Sequence, residues 1–354
     1  MSSKIDCIVA GHTCMDLLPT FLEGGNSIDK IIQPGKLVQV GPMVQAMGGT
    51  VPNTAGALNR LGLTVCPMGK IGDDILGQSI LAKMVADGLP INGMITDENC
   101  GTSYTVVLNI PGIDRIPLHY PGVNDTFCFD DLNYELIKNS RHFHLGYPPL
   151  MYSLFSDGGD ELLKIFKSVK NLGVTTSLDM ARPDPQTEAG KADWEGLICQ
   201  VLPFVDIFTP SIDELLYMLN RPLFEQFITS DKPLGGLTLN DLESLGKKLI
   251  AMGTHEVLIK LGEFGAYYRS ETESYYTPCF QVELKGAIGS GDCTIAGFLA
   301  ARLKGMSAEE ALSVAVATGA CNVEAVDSLS GVPGWESLLK RMAEGWRKHS
   351  KLFN

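Results

Sequence analysis

A glycine-rich turn that ends in an acidic residue is the part of this sequence best suited to chemistry. It reads Gly289-Ser290-Gly291-Asp292, and an apolar segment of helical spacing follows at 294–303. Glycines let backbone N–H groups converge on an anion, and a helix N-terminus adds partial positive charge. Asp292 can accept a proton from a hydroxyl that attacks a bound phosphate, or it can simply cap the helix.

The elements around this turn decide between the two roles. Residues 280–284 are strand-like, so the turn is predicted to join a strand to the helix that begins near Gly291. Anion-binding turns occupy such positions in α/β proteins. The location therefore favours a phosphate site over a chance match to a short glycine motif.

Strand-like and helix-like segments alternate through most of the 354 residues. Apolar runs predict strands at 5–10, 65–68, 104–110, 143–145, 175–179, 205–208 and 257–261. Helical periodicity predicts helices at 51–61, 75–86, 161–169, 194–201, 212–219, 239–252, 291–303, 308–323 and 335–348. This alternation predicts an α/β fold in which a parallel sheet is covered by helices on both faces.

Two stretches, 22–43 and 102–125, interrupt the alternation and have the character of extended hairpins. They are predicted to form a small β lid over the carboxyl edge of the sheet, where open α/β folds bind ligands. Ordinary surface loops are the alternative. Since no repeat or low-complexity linker is visible, the chain is predicted to form one domain, 1–354, with this lid.

Composition restricts the class of protein. A hydrophobic fraction of 45% is enough for a large core, and a net charge of -13 disfavours nucleic acid and anionic membranes as partners. The N-terminal segment is too polar for a secretory signal and no apolar run is long enough to span a bilayer, so a cytoplasmic protein is predicted. Nine cysteines without Cys-x-x-Cys spacing predict reduced thiols.

Four motifs in order make the sequence similar to the ribokinase-like (PfkB) family of carbohydrate kinases. The family's late signature, roughly Asp-Thr-Thr-Gly-Ala-Gly-Asp before an apolar helix, corresponds to 286–292 and is matched in its second half. The other three motifs are Gly48-Gly49-Thr50-Val51-Pro52-Asn53-Thr54-Ala55, Gly69-Lys70-Ile71-Gly72-Asp73-Asp74-Ile75-Leu76-Gly77 and Lys260-Leu261-Gly262-Glu263-Phe264-Gly265-Ala266. Together the matches span about residues 5 to 340.

The resemblance implies a Rossmann-like, mostly parallel sheet flanked by helices, with a small β lid. It implies an enzyme that uses ATP and Mg²⁺ to phosphorylate a hydroxyl of a sugar or sugar-like small molecule. Asp292 would be the catalytic base, and the backbone amides of Gly289, Ser290 and Gly291 would form the anion hole. A homodimer is compatible with this assignment.

On the acceptor side, the resemblance implies that Asp16 and Asn53 bind substrate hydroxyls. Gly48 and Gly49 would let the substrate approach the backbone. The alternatives are that Asp16 is a turn residue after the first strand and that the two glycines belong to a loop before a helix.

On the nucleotide side, the resemblance places Gly262 and Gly265 at the border of the nucleotide. The same glycines can form the tight turn of a hairpin, and both roles are compatible. Lys260 can contact phosphate or be a charged strand end. Glu214 is implied to be the Mg²⁺ ligand, as the surviving member of the family's Asn-x-x-Glu element.

Two departures from the family pattern affect these assignments. Ser211 replaces the Asn of Asn-x-x-Glu, which weakens the metal site and suggests contact through a water. Gly286 and Ala287 replace the Asp and Thr at the start of the late signature. This removes a carboxylate that the family associates with a monovalent cation, so turnover is expected to be independent of K⁺.

Two other functions remain open at this point. A nucleoside kinase of the same fold needs an aromatic platform, which Tyr104, Phe127 or Tyr147 can supply. A catalytically weak sugar- or nucleotide-binding protein would explain the departures, although the retained Asp292 argues against it. The acceptor itself is not named by the sequence, and two arginines can each bind an acceptor phosphate or carboxylate or lie in solvent, Arg115 and Arg182.

Overall fold

An eight-stranded sheet flanked by helices forms the centre of the computed structural model, which describes residues 4–25, 27–113, 116–350 and 352–353. Arg115 lies outside the described residues. The strands are β1 (Ile5–Gly11), β2 (Cys14–Pro19), β3 (Met43–Gly48), β4 (Val65–Met68), β5 (Lys70–Gly72), β6 (Ile95–Asp97), β7 (Tyr104–Leu108), β8 (Ile116–Tyr120), β9 (Ser140–Gly146), β10 (Thr175–Asp179), β11 (Ile207–Phe208), β12 (Glu256–Lys260), β13 (Ala266–Ser270) and β14 (Ser274–Thr277).

The helices cover both faces of this sheet, and short 3₁₀ turns connect several of them. They are α1 (Thr50–Arg60), α2 (Ile75–Ala86), α3 (Tyr134–Lys138), α4 (Tyr152–Phe155), α5 (Asp160–Asn171), α6 (Glu188–Lys191), α7 (Trp194–Val201), α8 (Ile212–Leu219), α9 (Arg221–Thr229), α10 (Leu239–Ala251), α11 (Ser290–Leu303), α12 (Ala308–Asn322) and α13 (Trp335–Ala343). Within the described part of the chain, none of them is long and apolar enough to cross a membrane.

The strand order of the central sheet is β14-β13-β12-β11-β10-β9-β1-β4. The pairs from β4 to β12 are parallel, and β13 and β14 extend the sheet as antiparallel strands. The predicted mostly parallel sheet is therefore confirmed. Alternate residues of β1 enter different cores, with Ile8 in one cluster and Cys7 and Val9 in the other. Burial on both faces explains why this strand is continuously apolar.

Parallel strands end at the same edge, and this edge positions the candidate site. Gly11 of β1 lies beside Gly146 of β9, which in turn lies beside Asp179 of β10. Lys260 ends β12, two strands further along the sheet. Side chains that are far apart in sequence therefore meet at the carboxyl ends of these strands.

A separate four-stranded sheet has the order β3-β2-β7-β8. β7 and β8 form an antiparallel hairpin inside the stretch 102–125, as predicted. The hairpin prediction for 22–43 is wrong in detail, because the paired strands β2 and β3 lie on either side of that stretch. Among its described residues up to Pro42 there is only a short 3₁₀ turn, Ile28–Lys30.

The strand predicted at 280–284 is also wrong. Only Phe280 makes a β-bridge, an isolated one to Lys348. The amide of Gln281 donates to the carbonyl of Arg347 and the amide of Lys285 donates to that of Val323. The segment pairs with the C-terminal part of the chain and with the end of α12, so it lies outside the central sheet although it leads into α11.

Candidate active site

Asp292 lies in the first turn of α11 and is only 1% exposed. The N-cap residue of this helix is Gly289, and the structure shows no side-chain cap there, so the helix-cap role for Asp292 is wrong. Its carboxylate instead accepts hydrogen bonds from Asn53 Nδ2 at 3.1 Å and Thr54 Oγ1 at 3.2 Å. Burial raises the pKa of Asp292, while these hydrogen bonds and the charge of Lys260 oppose the rise.

The turn before α11 has the backbone geometry of an anion cradle. Gly289 has φ +73°, a left-handed conformation that glycine adopts without strain. The helix then begins at Ser290, so its first N–H groups have no partner within the helix. A Cβ on Gly291 would lie 3.7 Å from Lys260 Nζ, which places an ammonium group beside this helix terminus. The arrangement combines amide donors, a helix dipole and a cation next to a buried carboxylate.

Lys260 is held by acidic residues at the ends of neighbouring elements. Its Nζ lies 2.6 Å from Asp179 Oδ1, and the two side chains are 11% and 1% exposed. Glu214, in the first turn of α8, accepts a hydrogen bond from the amide of Ser211 at 2.7 Å. Burial raises the pKa of both Asp179 and Glu214, and the charge of Lys260 opposes that rise. The other oxygen of Asp179, Oδ2, is buried without a hydrogen-bond partner among the described residues.

These side chains line a cavity of about 1070 Å³. It contains the helix terminus at Ser290 and Gly291 together with Tyr147, and a loop that includes Lys232 borders it. The described residues contain no group of three His, Cys, Asp or Glu side chains arranged to hold a metal.

Asp16 and the two glycines of the early motif form the predicted acceptor end of the site. Asp16 lies on β2 opposite Ala46 of β3. A Cβ on Gly48 would collide with the Asp16 carboxylate, and a Cβ on Gly49 would lie 2.6 Å from His12 Nδ1. Both positions therefore require glycine for close packing, and Gly49 also has φ +93°. Asp16 belongs to a strand, so the description of it as a turn residue is wrong.

His12 is a residue of this region that the sequence reading missed. It is 2% exposed, and neither ring nitrogen has a hydrogen-bond partner among the described residues. Burial lowers the pKa of His12 to about 3, so the imidazole is neutral. Its ring centroid lies 5.5 Å from that of His119 on β8 and 6.1 Å from that of Tyr147. Its position directly after the first parallel strand could have identified it from the sequence, because open α/β folds bind ligands at the carboxyl ends of their strands.

A second cavity, of about 580 Å³, adjoins the large one at Ser290 and Gly291 of the α11 terminus. Gly262 and Gly265, with φ +59° and +97°, join β12 to β13 through a short 3₁₀ turn at its border, so the predicted hairpin is confirmed. Its apolar lining comes from the segment before α11 and from α12 and includes Phe280, Val282, Leu284, Val316, Ala320 and Val323. A flat apolar base would fit this kind of cavity.

The aromatic platform considered for a nucleoside does not assemble. Phe127 is fully buried in the core. Tyr104 packs against Tyr120 within the small sheet, with centroids 5.5 Å apart. The hydroxyl of Tyr147 donates a hydrogen bond to Asp292 Oδ2 at 2.9 Å.

Arg182 is half-exposed, and its Nη1 lies 3.7 Å from Asp213 Oδ2. It lines the large cavity and also a neighbouring cavity, which His119 lines as well.

A buried carboxylate beside an anion cradle at the carboxyl edge of a parallel sheet defines a phosphotransferase of the open α/β class. Comparisons with known proteins agree with this. The model of the pfkB family carbohydrate kinases matches residues 4–334. The 2-dehydro-3-deoxygluconokinase of Bacillus subtilis (strain 168) is 25% identical over 323 residues, which cover 90% of this chain and 93% of that protein.

Solved structures share the fold. Ribokinase of Arabidopsis thaliana, complexed with ribose and ATP, superposes with a TM-score of 0.75 at 20% identity, covering 96% of this chain and 98% of that one. Fructokinase of Xylella fastidiosa with bound ATP has a TM-score of 0.76 at 18% identity, covering 96% and 98%. The chain belongs to the pfkB family of carbohydrate kinases and is a phosphotransferase that acts on a sugar hydroxyl.

Proposed function

We propose that the chain transfers the γ-phosphoryl group of ATP to a sugar hydroxyl, with Asp292 as the base. The observation that carries this proposal is the buried Asp292 carboxylate in the same helix turn as the amides of Ser290 and Gly291, with Lys260 alongside. The acceptor oxygen forms its bond to the γ-phosphorus while its proton passes to Asp292. The bond between that phosphorus and ADP breaks, and the amides and Lys260 stabilise the charge on the transferred group.

Mg²⁺ would be held by Glu214 together with phosphate oxygens and waters. Asp179 Oδ2 supports this assignment, because it is a buried acceptor without a partner among the described residues and lines the same cavity as Glu214. When bound, the cation neutralises phosphate charge. Gly262 and Gly265 would border the nucleotide, whose base would occupy the apolar cavity of about 580 Å³.

A coupled assay of ADP release tests the proposal directly. The acceptor panel includes fructose, ribose, 2-dehydro-3-deoxygluconate and several nucleosides, each with MgATP. Release that depends on a sugar or sugar acid supports the proposal, while release that depends only on nucleosides supports the alternative kinase. If no acceptor stimulates release although calorimetry shows sugar binding, the chain is a catalytically weak binding protein.

Asp16→Ala and Asn53→Ala are expected to have different effects. Asp16 has no hydrogen bond to Asp292 among the described residues, so its removal should raise the acceptor KM by the equivalent of about 1–3 kcal/mol with kcat little changed. Asn53 also donates to Asp292 Oδ2, so its loss should lower kcat as well. Steady-state kinetics at saturating ATP distinguish the two, and the KM for ATP is the internal control. Equal losses for both substrates in both variants would mean that these residues support the fold instead.

The stretches 22–43 and 102–125, with the sheet β3-β2-β7-β8, would form a lid on a single catalytic domain. The outer part of this region is exposed, as at Leu37 and Val44, although Met15 and Val123 within it are completely buried. Its amides are expected to exchange rapidly in the free protein and to become protected when the sugar and an ATP analogue bind, since closure excludes water. Hydrogen exchange with and without ligands measures this, and equal protection in both states would contradict a moving lid.

Turnover is expected to be nearly independent of K⁺. A side chain at position 286 would lie against the carbonyl oxygens of Ala325 and Val326, at 2.8 and 2.9 Å, but Gly286 supplies no carboxylate there. Asp327, which could replace it, uses Oδ1 to accept the amides of Leu329 and Ser330. Without a charged oxygen ligand, cation affinity should be low. Rates in K⁺, Na⁺ and a bulky organic cation at equal ionic strength test this, and several-fold activation by K⁺ would overturn it.

A further inference from the structure

Tyr147 has a backbone conformation that tyrosine rarely adopts. Its φ and ψ are +68° and +41°, in the left-handed region, and it directly follows β9. Its amide donates to the carbonyl of Asp179 at 3.2 Å, and its hydroxyl donates to Asp292 Oδ2 at 2.9 Å. An unfavourable conformation of this kind persists where the surrounding structure imposes it and is concentrated at functional sites. Here it directs a tyrosine side chain at the proposed base.

The two oxygens of Asp292 have different surroundings. Oδ1 accepts from Thr54, which lies in α1 and is completely buried. Oδ2 accepts from Asn53 and from Tyr147, and Tyr147 is the donor that lines the large cavity. A carboxylate oxygen has two lone pairs in its plane. In the free protein both lone pairs of Oδ2 are therefore occupied, the one on the cavity side by Tyr147.

We propose that the Tyr147 hydroxyl occupies the position of the acceptor hydroxyl in the free enzyme and is displaced when the sugar binds. An acceptor can lose its proton only to a carboxylate oxygen that it reaches with a hydrogen bond. Of the two oxygens, only Oδ2 has a donor that lines the large cavity, so the acceptor reaches Oδ2 and must take over the lone pair that Tyr147 holds. This inference rests on the proposed role of Asp292 as base.

The arrangement would protect ATP from hydrolysis. Without Tyr147, a water molecule can donate to Oδ2. Its oxygen forms a bond to the γ-phosphorus, its proton passes to Asp292, and the bond to ADP breaks, which gives ADP and inorganic phosphate. With the Tyr147 hydroxyl in place, water has no access to the base. A sugar, bound at several points by the acceptor end of the site, can displace the hydroxyl where a single water cannot.

The test is phosphate release from MgATP without any sugar. Tyr147→Phe keeps the ring and removes only the hydroxyl, and hydrolysis is expected to rise roughly tenfold, the scale of one hydrogen bond to a charged group. Tyr147→Asn should show the same rise, because asparagine tolerates the left-handed conformation. Tyr275→Phe is the matched control. It removes a hydroxyl from β14 that lines neither of the two cavities, and it should leave hydrolysis unchanged.

The double variant Tyr147→Phe, Asp292→Asn decides whether the extra hydrolysis uses the base. It should return hydrolysis to the level of Asp292→Asn alone. Unchanged hydrolysis in folded Tyr147→Phe, confirmed by its melting temperature, overturns the inference, as does a rise that persists in the double variant. If Asp292→Asn by itself retains normal sugar phosphorylation, the proposed function fails instead, so the two failures are distinguishable.

Discussion

Asp292→Asn is expected to lower kcat for sugar phosphorylation by about 10²- to 10⁴-fold, with sugar affinity little changed. Asparagine keeps the size of the side chain but has no basic oxygen to take the acceptor proton. Asp292 is not the cap of α11, so the helix terminus should be unaffected. Steady-state kinetics and sugar binding by calorimetry measure the two effects separately.

The matched control is Asp193→Asn. Asp193 is the N-cap of α7 and accepts from the amide of Gly196 at 3.0 Å, a role that asparagine also fills, so turnover should be normal. Because burial raises the pKa of Asp292, its carboxylate becomes protonated at a higher pH than an exposed aspartate does. The wild-type rate should therefore fall on acidification at a correspondingly higher pH. Near-normal turnover in Asp292→Asn would show that another group is the base.

Lys260→Met is expected to affect both stability and catalysis. It leaves the buried Asp179 carboxylate without its 2.6 Å ion pair, which should lower the free energy of unfolding by about 3–5 kcal/mol. It also removes the ammonium group beside Gly291, so kcat in the folded protein should fall by about 10²-fold, as for other lost donors to a developing charge. Denaturant unfolding and single-turnover kinetics measure these losses.

Two further variants separate the contribution of Lys260 to stability from its contribution to catalysis. Lys70, which lines neither of the two cavities, also forms ion pairs at low exposure, with Asp97 and Asp131, both at 3.3 Å. Lys70→Met should therefore lower stability without lowering kcat. The double variant Lys260→Met, Asp179→Asn removes the unpaired charge and should regain stability without regaining activity. Recovery of activity in this double variant would mean that Lys260 acts only through the fold.

Asp292 contacts both proposed ends of the site, because Tyr147 lines the large cavity, Asn53 belongs to the proposed acceptor end, and both donate to Oδ2. In the proposed arrangement, the terminus of α11 and Lys260 would bind phosphate, and Asp16 would bind the acceptor. The negative charge of Asp292 is one of the causes that raise the pKa of Cys14, whose thiol donates to Asp16 Oδ1 at 3.4 Å.

Local patterns in the sequence were sufficient for most elements of the fold. β10 and α8 have the predicted bounds, because a short buried strand and an amphipathic helix each repeat their apolar residues at a characteristic spacing. Gly289 and Gly49 were recognisable as turn positions, because both have a positive φ and glycine is the residue that adopts such angles without strain. The strand predicted at 280–284 failed because pairing depends on a neighbour, and its neighbour is the C-terminal segment.

The candidate site was decided by tertiary structure to a larger extent. The donors to Asp292 are 239, 238 and 145 positions away in sequence, and no local pattern links them. Glycine and aspartate at 291 and 292 were visible as a motif, whereas Tyr147 and Asp179 are single residues that acquire a role only because parallel strands end at one edge. Sequence spacing specifies each element, but contacts between side chains on different elements arise when the sheet is assembled.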